Sequence, residues 1–175
     1  MDRMIGILAD THDNLDAIRR AVQLFKDAEC TLVIHAGDFV APFAARELGE
    51  IGCPVRAVYG NCDGEKAGLA KAIKPFGTIQ DAPLIFSFAD LSILVQHDAG
   101  GPRLSPGARS RRTRPRMETT DVYDVVIFGH THKPEVERAG RTLLVNPGEA
   151  GGWISGLKTV ALLDPNARSA DILSL

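Results

Sequence analysis

Cysteine is scarce in this chain: Cys30, Cys53 and Cys62 are an odd number among 175 residues, and none belongs to a CxxC pair. That excludes a disulfide framework and a zinc ribbon, and the expected home is a reducing cytoplasm. Long apolar runs are scarce as well. The apolar run nearest the N-terminus extends only from Met4 to Ala9, too short for a signal-peptide core or a membrane span, so no membrane partner is expected. Aromatic residues make up 6% of the chain, too few for the interleaved stacking platform of a single-strand nucleic-acid binder. Neither sign of charge dominates: 20 basic against 22 acidic residues give a net −2, which draws neither nucleic acid nor an anionic membrane to the chain as a whole.

Hydrophobic residues at 45% and charged residues at 24% are instead ordinary for a globular protein with a real core. The length predicts a single domain over 1–175. Within it the charge is uneven. Residues 101–120 carry six arginines and one acid, Glu118, leaving 14 basic and 21 acidic residues elsewhere. Gly, Pro, Ser and Thr crowd the same stretch and apolar periodicity disappears, so 99–120 reads as a flexible, Arg-rich loop.

Short β-branched runs at 4–9, 31–36 and 55–59 read as buried strands. Between the first two, Asn14 can cap a helix whose apolar positions Leu15, Ile18, Val22 and Phe25 recur at helical spacing. Helices are also predicted over 43–50, after Pro42, and over 65–73. Runs at 84–88 and 91–96 flank Ala89-Asp90 as a hairpin. A strand at 124–128, a hairpin of 136–139 with 142–145 around Gly140, and strands at 159–163 and 171–173 follow. Early βαβ units and late hairpins predict two mixed sheets packed together with helices outside. No internal repeat is visible.

Five separated pieces stand where apolar runs end: Asp10-Thr11-His12, Gly37-Asp38, Gly60-Asn61-Cys62-Asp63, His97, and Gly129-His130-Thr131-His132. They include four of the five histidines. Each alone has a plain reading as a cap or a turn. Together, at the C-terminal edge of one parallel sheet, they would supply seven O and N donors, enough for two metal ions. Asp10 and His12, two apart on an extended chain, would point to one side, and His130 and His132 would repeat that geometry. A carboxylate beside imidazoles suits Mn²⁺, Fe²⁺, Zn²⁺ or Ni²⁺ better than Ca²⁺. Asp38 has two oxygens and could bridge two ions. His35 lies inside a strand pattern and is expected to be structural.

The whole set resembles the calcineurin-like metallophosphoesterases, with their DxH, GD, GN, H and GHTH pieces. The size, Gly60-Asn61-Cys62-Asp63 and the Asn146-Pro147-Gly148 turn resemble the small single-domain bacterial and archaeal phosphodiesterase branch. The resemblance implies a four-layer α/β/β/α sandwich of two mixed sheets. It puts Asp10, His12, Asp38 and His132 on one divalent ion, with Asp38 bridging to a second held by Asn61, His97 and His130. Mn²⁺ is the expected metal, with Ni²⁺, Fe²⁺ and Zn²⁺ as alternatives. In-line attack of a metal-bridging hydroxide on a phosphodiester or activated phosphate ester is the implied reaction.

Two positions depart from the family's pattern. Larger members have a histidine after the Asn, where Cys62 stands here; beside Asn61, it is the candidate catalytic residue, a proton donor or phosphate contact, against a reading as a small buried side chain. Asp98 replaces the usual glycine after His97. The Arg-rich stretch, where the family carries helical sequence, has three readings: a substrate-attracting loop, a solvated insertion, or a frame error in the gene. The rival function is a protein-interaction scaffold, as in the retromer subunit of the same fold, whose site has lost ligands; all seven ligand types are present here. The expected partner is a phosphate-ester substrate, nucleic acid only in that role, with a homo-oligomer left open.

Overall fold

The computed structural model describes residues 4–98 and 121–175; the predicted loop over 99–120 lies outside the described residues. Strands β1 (Ile5–Leu8), β2 (Leu32–His35), β3 (Val55–Val58) and β4 (Gly77–Gln80) run parallel, and β10 (Thr159–Asp164) and β11 (Ser169–Ser174) add antiparallel to the β1 edge. A second mixed sheet has the order β5 (Leu84–Phe88), β6 (Leu91–Val95), β7 (Val125–Ile127), β9 (Thr142–Pro147) and β8 (Pro134–Ala139). The β5–β6 hairpin turns through Ala89 and Asp90, both at positive φ, the twist that a two-residue hairpin loop requires.

The two sheets meet face to face. Ile5, Ile7, Leu32 and Ile34 of the first pack with Ile93, Val95, Val125 and Ile127 of the second, all fully or nearly fully buried. The other face of the first sheet, through Leu8, Val33, Val55 and Ala57, packs on the helices. Burial on both faces is why β1 and β2 read as continuous apolar runs rather than alternating ones. Helix α1 (Leu15–Asp27) is capped by the Asn14 carboxamide, which accepts from the Ala17 N–H at 3.2 Å, and buries Ile18, Val22 and Phe25. Truncating Phe25 to alanine in this layer would cost about 3–5 kcal/mol.

Three details differ from the sequence reading. The helix predicted over 43–50 is split: α2 (Pro42–Arg46) tightens into a 3-10 turn, Glu47–Ile51, that ends on Gly52 at φ 86°. Strand β4 was not anticipated, because Gly77-Thr78-Ile79-Gln80 is short, half exposed and lies at a sheet edge. The five chemical pieces do not share one sheet: three follow β1, β2 and β3, and two follow β6 and β7. They still meet, because the parallel strands of both sheets deliver their C-terminal ends to one end of the sandwich. Helix α3 (Lys66–Ile73) completes the helical layer. No helix among the described residues is long and apolar enough to cross a membrane.

Candidate metal centre

The segment after β1 is laced to the segment after β2: Asp10 N donates to Gly37 O, His12 N to Asp38 O and Asp13 N to Phe39 O. Asp63 fastens the same loop, accepting from Asp38 N, Phe39 N, Val40 N and Gly60 N at 2.7–3.0 Å. Gly60 permits this closeness; a methyl group there would overlap the Asp38 carboxylate. Asp10, His12, Asp38, His130 and His132 all have φ between 39° and 68°, the left-handed region that non-glycine residues enter at a cost. The expected extended DxH and HxH geometry is therefore replaced by tight turns. Asp10 and His12 do share a cluster, but His130 and His132 diverge, each joining a different one.

The first cluster is Asp10, His12 and His132. Asp10 Oδ1 lies 3.9 Å from His12 Nε2 and 3.7 Å from His132 Nε2. Asp10 Oδ2 accepts the His130 N–H at 3.0 Å, whereas Oδ1 and His12 Nε2 are buried without a hydrogen-bond partner among the described residues. Unpartnered buried donor atoms facing one another are costly unless a cation joins them. Burial pushes the Asp10 carboxyl up to about 6, and burial holds His12 below the usual imidazole range, in its neutral, lone-pair-bearing form.

The second cluster is built on His97, 5% exposed. Its Nδ1 pairs with Ala36 O at 2.8 Å, which assigns the hydrogen there. Its Nε2 lies 2.9 Å from Asn61 Oδ1 and 3.4 Å from Asp38 Oδ2. His130 Nδ1 is also 2.9 Å from Asn61 Oδ1. Asp38 Oδ2 stands between the clusters, 3.5 Å from His12 Nε2. Burial opposes ionisation of Asp38, but hydrogen bonding and charge from His97, with the Cys62 N–H, outweigh it and hold the carboxyl well below the usual range. The donor set thus fits divalent cations: imidazole nitrogens and hard oxygens, directed at one another.

Cys62 is exposed rather than buried, so the packing reading loses its basis. Its N–H donates to Asp38 Oδ1 at 2.8 Å, and its thiol accepts from Asn61 Nδ2 at 3.3 Å. Partial desolvation of the sulfur by its surroundings and its hydrogen bond with Asp38 push the thiol up to about 11, so it keeps its proton at neutral pH. His35, fully buried, is stacked on Phe39 at 3.5 Å, accepts from Gly37 N and pairs with Thr11 Oγ1, the structural role expected of it.

Sequence reasoning missed Glu149. Its fully buried carboxylate receives His132 Nδ1 at 3.0 Å and the backbone N–H groups of Trp153, Ile154 and Ser155. Burial alone would raise its pKa, but the bonds from Ser155 and His132 prevail and bring it down to about 2. A carboxylate on the far nitrogen fixes the tautomer that turns Nε2 toward a metal. The only sequence cue was its position after the Asn146-Pro147-Gly148 turn.

Known proteins resemble this chain in sequence and in fold. The sequence model of the calcineurin-like phosphoesterase superfamily domain matches residues 4–168. A phosphodiesterase of Methanocaldococcus jannaschii is 36% identical over 162 residues, covering 91% of this chain and 92% of its own. The solved structure of an archaeal phosphodiesterase superposes with a TM-score of 0.85 at 33% identity, covering 98% of this chain and 99% of that one. Vps29 from Entamoeba histolytica, in a zinc complex, has a TM-score of 0.66 at 16% identity over 98% of both chains, a likeness of fold. This chain belongs to the calcineurin-like phosphoesterase superfamily.

Proposed function

We propose that the chain is a dinuclear-metal phosphoesterase, a single domain acting on phosphodiesters and activated phosphate esters. The observation that carries this reading is the convergence of seven metal-donor side chains, two of whose buried atoms, Asp10 Oδ1 and His12 Nε2, have no hydrogen-bond partner among the described residues. In this reading Asp10, His12, Asp38 and His132 hold one ion, and Asp38, Asn61, His97 and His130 hold the other. Divalent cations bound there supply Lewis-acid activation of water and neutralise charge on the phosphoryl oxygens.

The chain's own residues do the rest. Glu149 and the Ala36 carbonyl orient His132 and His97 through their Nδ1 atoms. Asp63 fixes the loop that carries Asp38. Cys62, beside Asn61, retains a proton that it can give to a leaving oxygen. A thiol is a weaker acid than an imidazolium, so diesters and esters with good leaving groups are the substrates this site suits. The archaeal relative named as a phosphodiesterase supports that class. Mn²⁺ is the metal we infer from the mixed N/O donor set, ahead of Ni²⁺, Fe²⁺ and Zn²⁺. The three free thiols fit a reducing cytoplasm.

The test is reconstitution with Mn²⁺, Ni²⁺, Mg²⁺ and Zn²⁺ in turn, elemental analysis, and hydrolysis of bis(4-nitrophenyl) phosphate against 4-nitrophenyl phosphate. About two ions per chain and faster diester hydrolysis are expected. Metal content near zero and no turnover with any metal would favour the scaffold reading instead.

A further inference from the structure

We propose that Trp153, with Ile154 beside it, forms the subsite for the organic group of the substrate and selects a planar aromatic one, a nucleobase or an aryl ester. The inference rests on the phosphoesterase reading above and gives that site its substrate class.

The segment that carries Trp153 is strapped along the first cluster. Ala150 N donates to Ala9 O and Gly151 N to Asp10 O, both at 3.0 Å. Asn14 Nδ2 donates to Gly151 O at 2.7 Å, and the indole Nε1 donates to His12 O at 3.1 Å. Gly151 makes the approach possible, since a Cβ there would meet Thr11 O at 2.8 Å and Asp10 O at 3.0 Å. From the other side Glu149 holds the N–H groups of Trp153, Ile154 and Ser155 while also holding His132. Ser155 Oγ and Leu157 close the turn. The ring is therefore pinned through both its backbone and its indole nitrogen, next to two candidate metal ligands.

Trp153 nevertheless remains 66% exposed and Ile154 74% exposed. Of the seven large exposed hydrophobic residues described, three, Trp153, Ile154 and Leu157, lie within five positions here. Residues 150–157 contain no charged side chain and the Lys158 stem lies against Gly152, so the exposed faces of Trp153 and Ile154 are apolar and suit the uncharged part of an ester. A ring already fixed in position has little conformational entropy left to lose on stacking. Alanine replacement under a stacked base lowers affinity about 5- to 150-fold.

Trp153 is the only tryptophan in the chain, so its fluorescence reports the subsite directly. The Mg²⁺-loaded protein, excited at a wavelength the base does not absorb, is titrated with AMP and with ribose 5-phosphate, which share a phosphate and differ in the base. We expect AMP to quench the emission and to bind at least about 5-fold more tightly. By calorimetry, Trp153→Ala should bring AMP to the affinity of ribose 5-phosphate, and Trp153→Phe should keep most of the difference. For bis(4-nitrophenyl) phosphate, Trp153→Ala should raise KM about 10-fold with kcat changed less than about 3-fold, the split expected when uniform binding is lost. Equal affinity for the two ligands, together with an unchanged KM in Trp153→Ala, overturns the subsite while leaving phosphoesterase activity standing. Base-selective quenching without hydrolysis of any ester would uphold the subsite and refute the enzyme reading. Concentration-dependent dimerisation abolished by Trp153→Ala, without base-selective binding, assigns the rim to a second copy and also overturns the proposal.

Discussion

Glu149→Gln tests whether one buried carboxylate both orients a metal ligand and holds the neighbouring loop. The side chain accepts from His132 Nδ1 and from three backbone N–H groups. Hydrogen bonds to a charged acceptor contribute about 1.5–3 kcal/mol each. Glutamine keeps one acceptor oxygen, and the half-exposed loop can turn its freed N–H groups to water, so the net loss should be about 2–3 kcal/mol. For a chain of this length that lowers the Tm of the metal-free protein by about 4–12 °C. Loss of the partner on His132 should weaken Mn²⁺ binding about 10- to 100-fold by calorimetry. The pH dependence has a definite sign. Glu149 is held down to about 2 from 4.5, so its stabilisation is fully present above 4.5 and is lost as pH falls toward 2. The Tm gap between wild type and variant, both metal-free, should therefore narrow between pH 5 and pH 3. A variant with lowered Tm and unaltered Mn²⁺ affinity would refute the orienting role, and a gap constant across that pH range would refute the account of the carboxylate's charge.

Asp38→Asn should lose more activity and more bound metal than Asn61→Ala, because Asp38 Oδ2 faces both clusters whereas Asn61 faces only one; equal, mild losses measured by elemental analysis and kcat would contradict the bridge. Cys62→Ala should slow esters of basic leaving groups more than esters of acidic ones, since help from a general acid matters most where the departing oxygen is most basic. A loss uniform across a leaving-group series would remove Cys62 from that role.

The strands and the chemistry were the legible part of this sequence. Strands β1 and β2 are buried on both faces, Ile5, Ile7, Leu32 and Ile34 against the second sheet and Leu8 and Val33 against the helices, which leaves an apolar run visible without a partner in sight, and Asn14 announces α1 by a local rule. The five pieces were legible because each follows such a run. Their geometry was not, because spacing along an extended strand says nothing of a chain that turns into the left-handed region at Asp10, His12, His130 and His132. Nor was it legible that two sheets contribute, since that depends on face-to-face packing. Glu149 escaped notice because its partner, His132, is 17 residues away and their meeting depends on how β9 ends. Strand β4 takes its order from pairing with β3, which its own four residues do not encode.

The five positive φ values at Asp10, His12, Asp38, His130 and His132 bear on how such a site is maintained. Each asks roughly 1–2 kcal/mol of the fold relative to a residue at ease there. Selection for folding alone would drift toward glycine or asparagine at these turns and would raise the melting point as it did so. The carboxylates and imidazoles are thus a standing load carried by the packed β1, β2 and β7 strands just upstream, and the protein's margin of stability sets how many of them it can keep. A relative released from catalysis would gain stability by relaxing these same positions first.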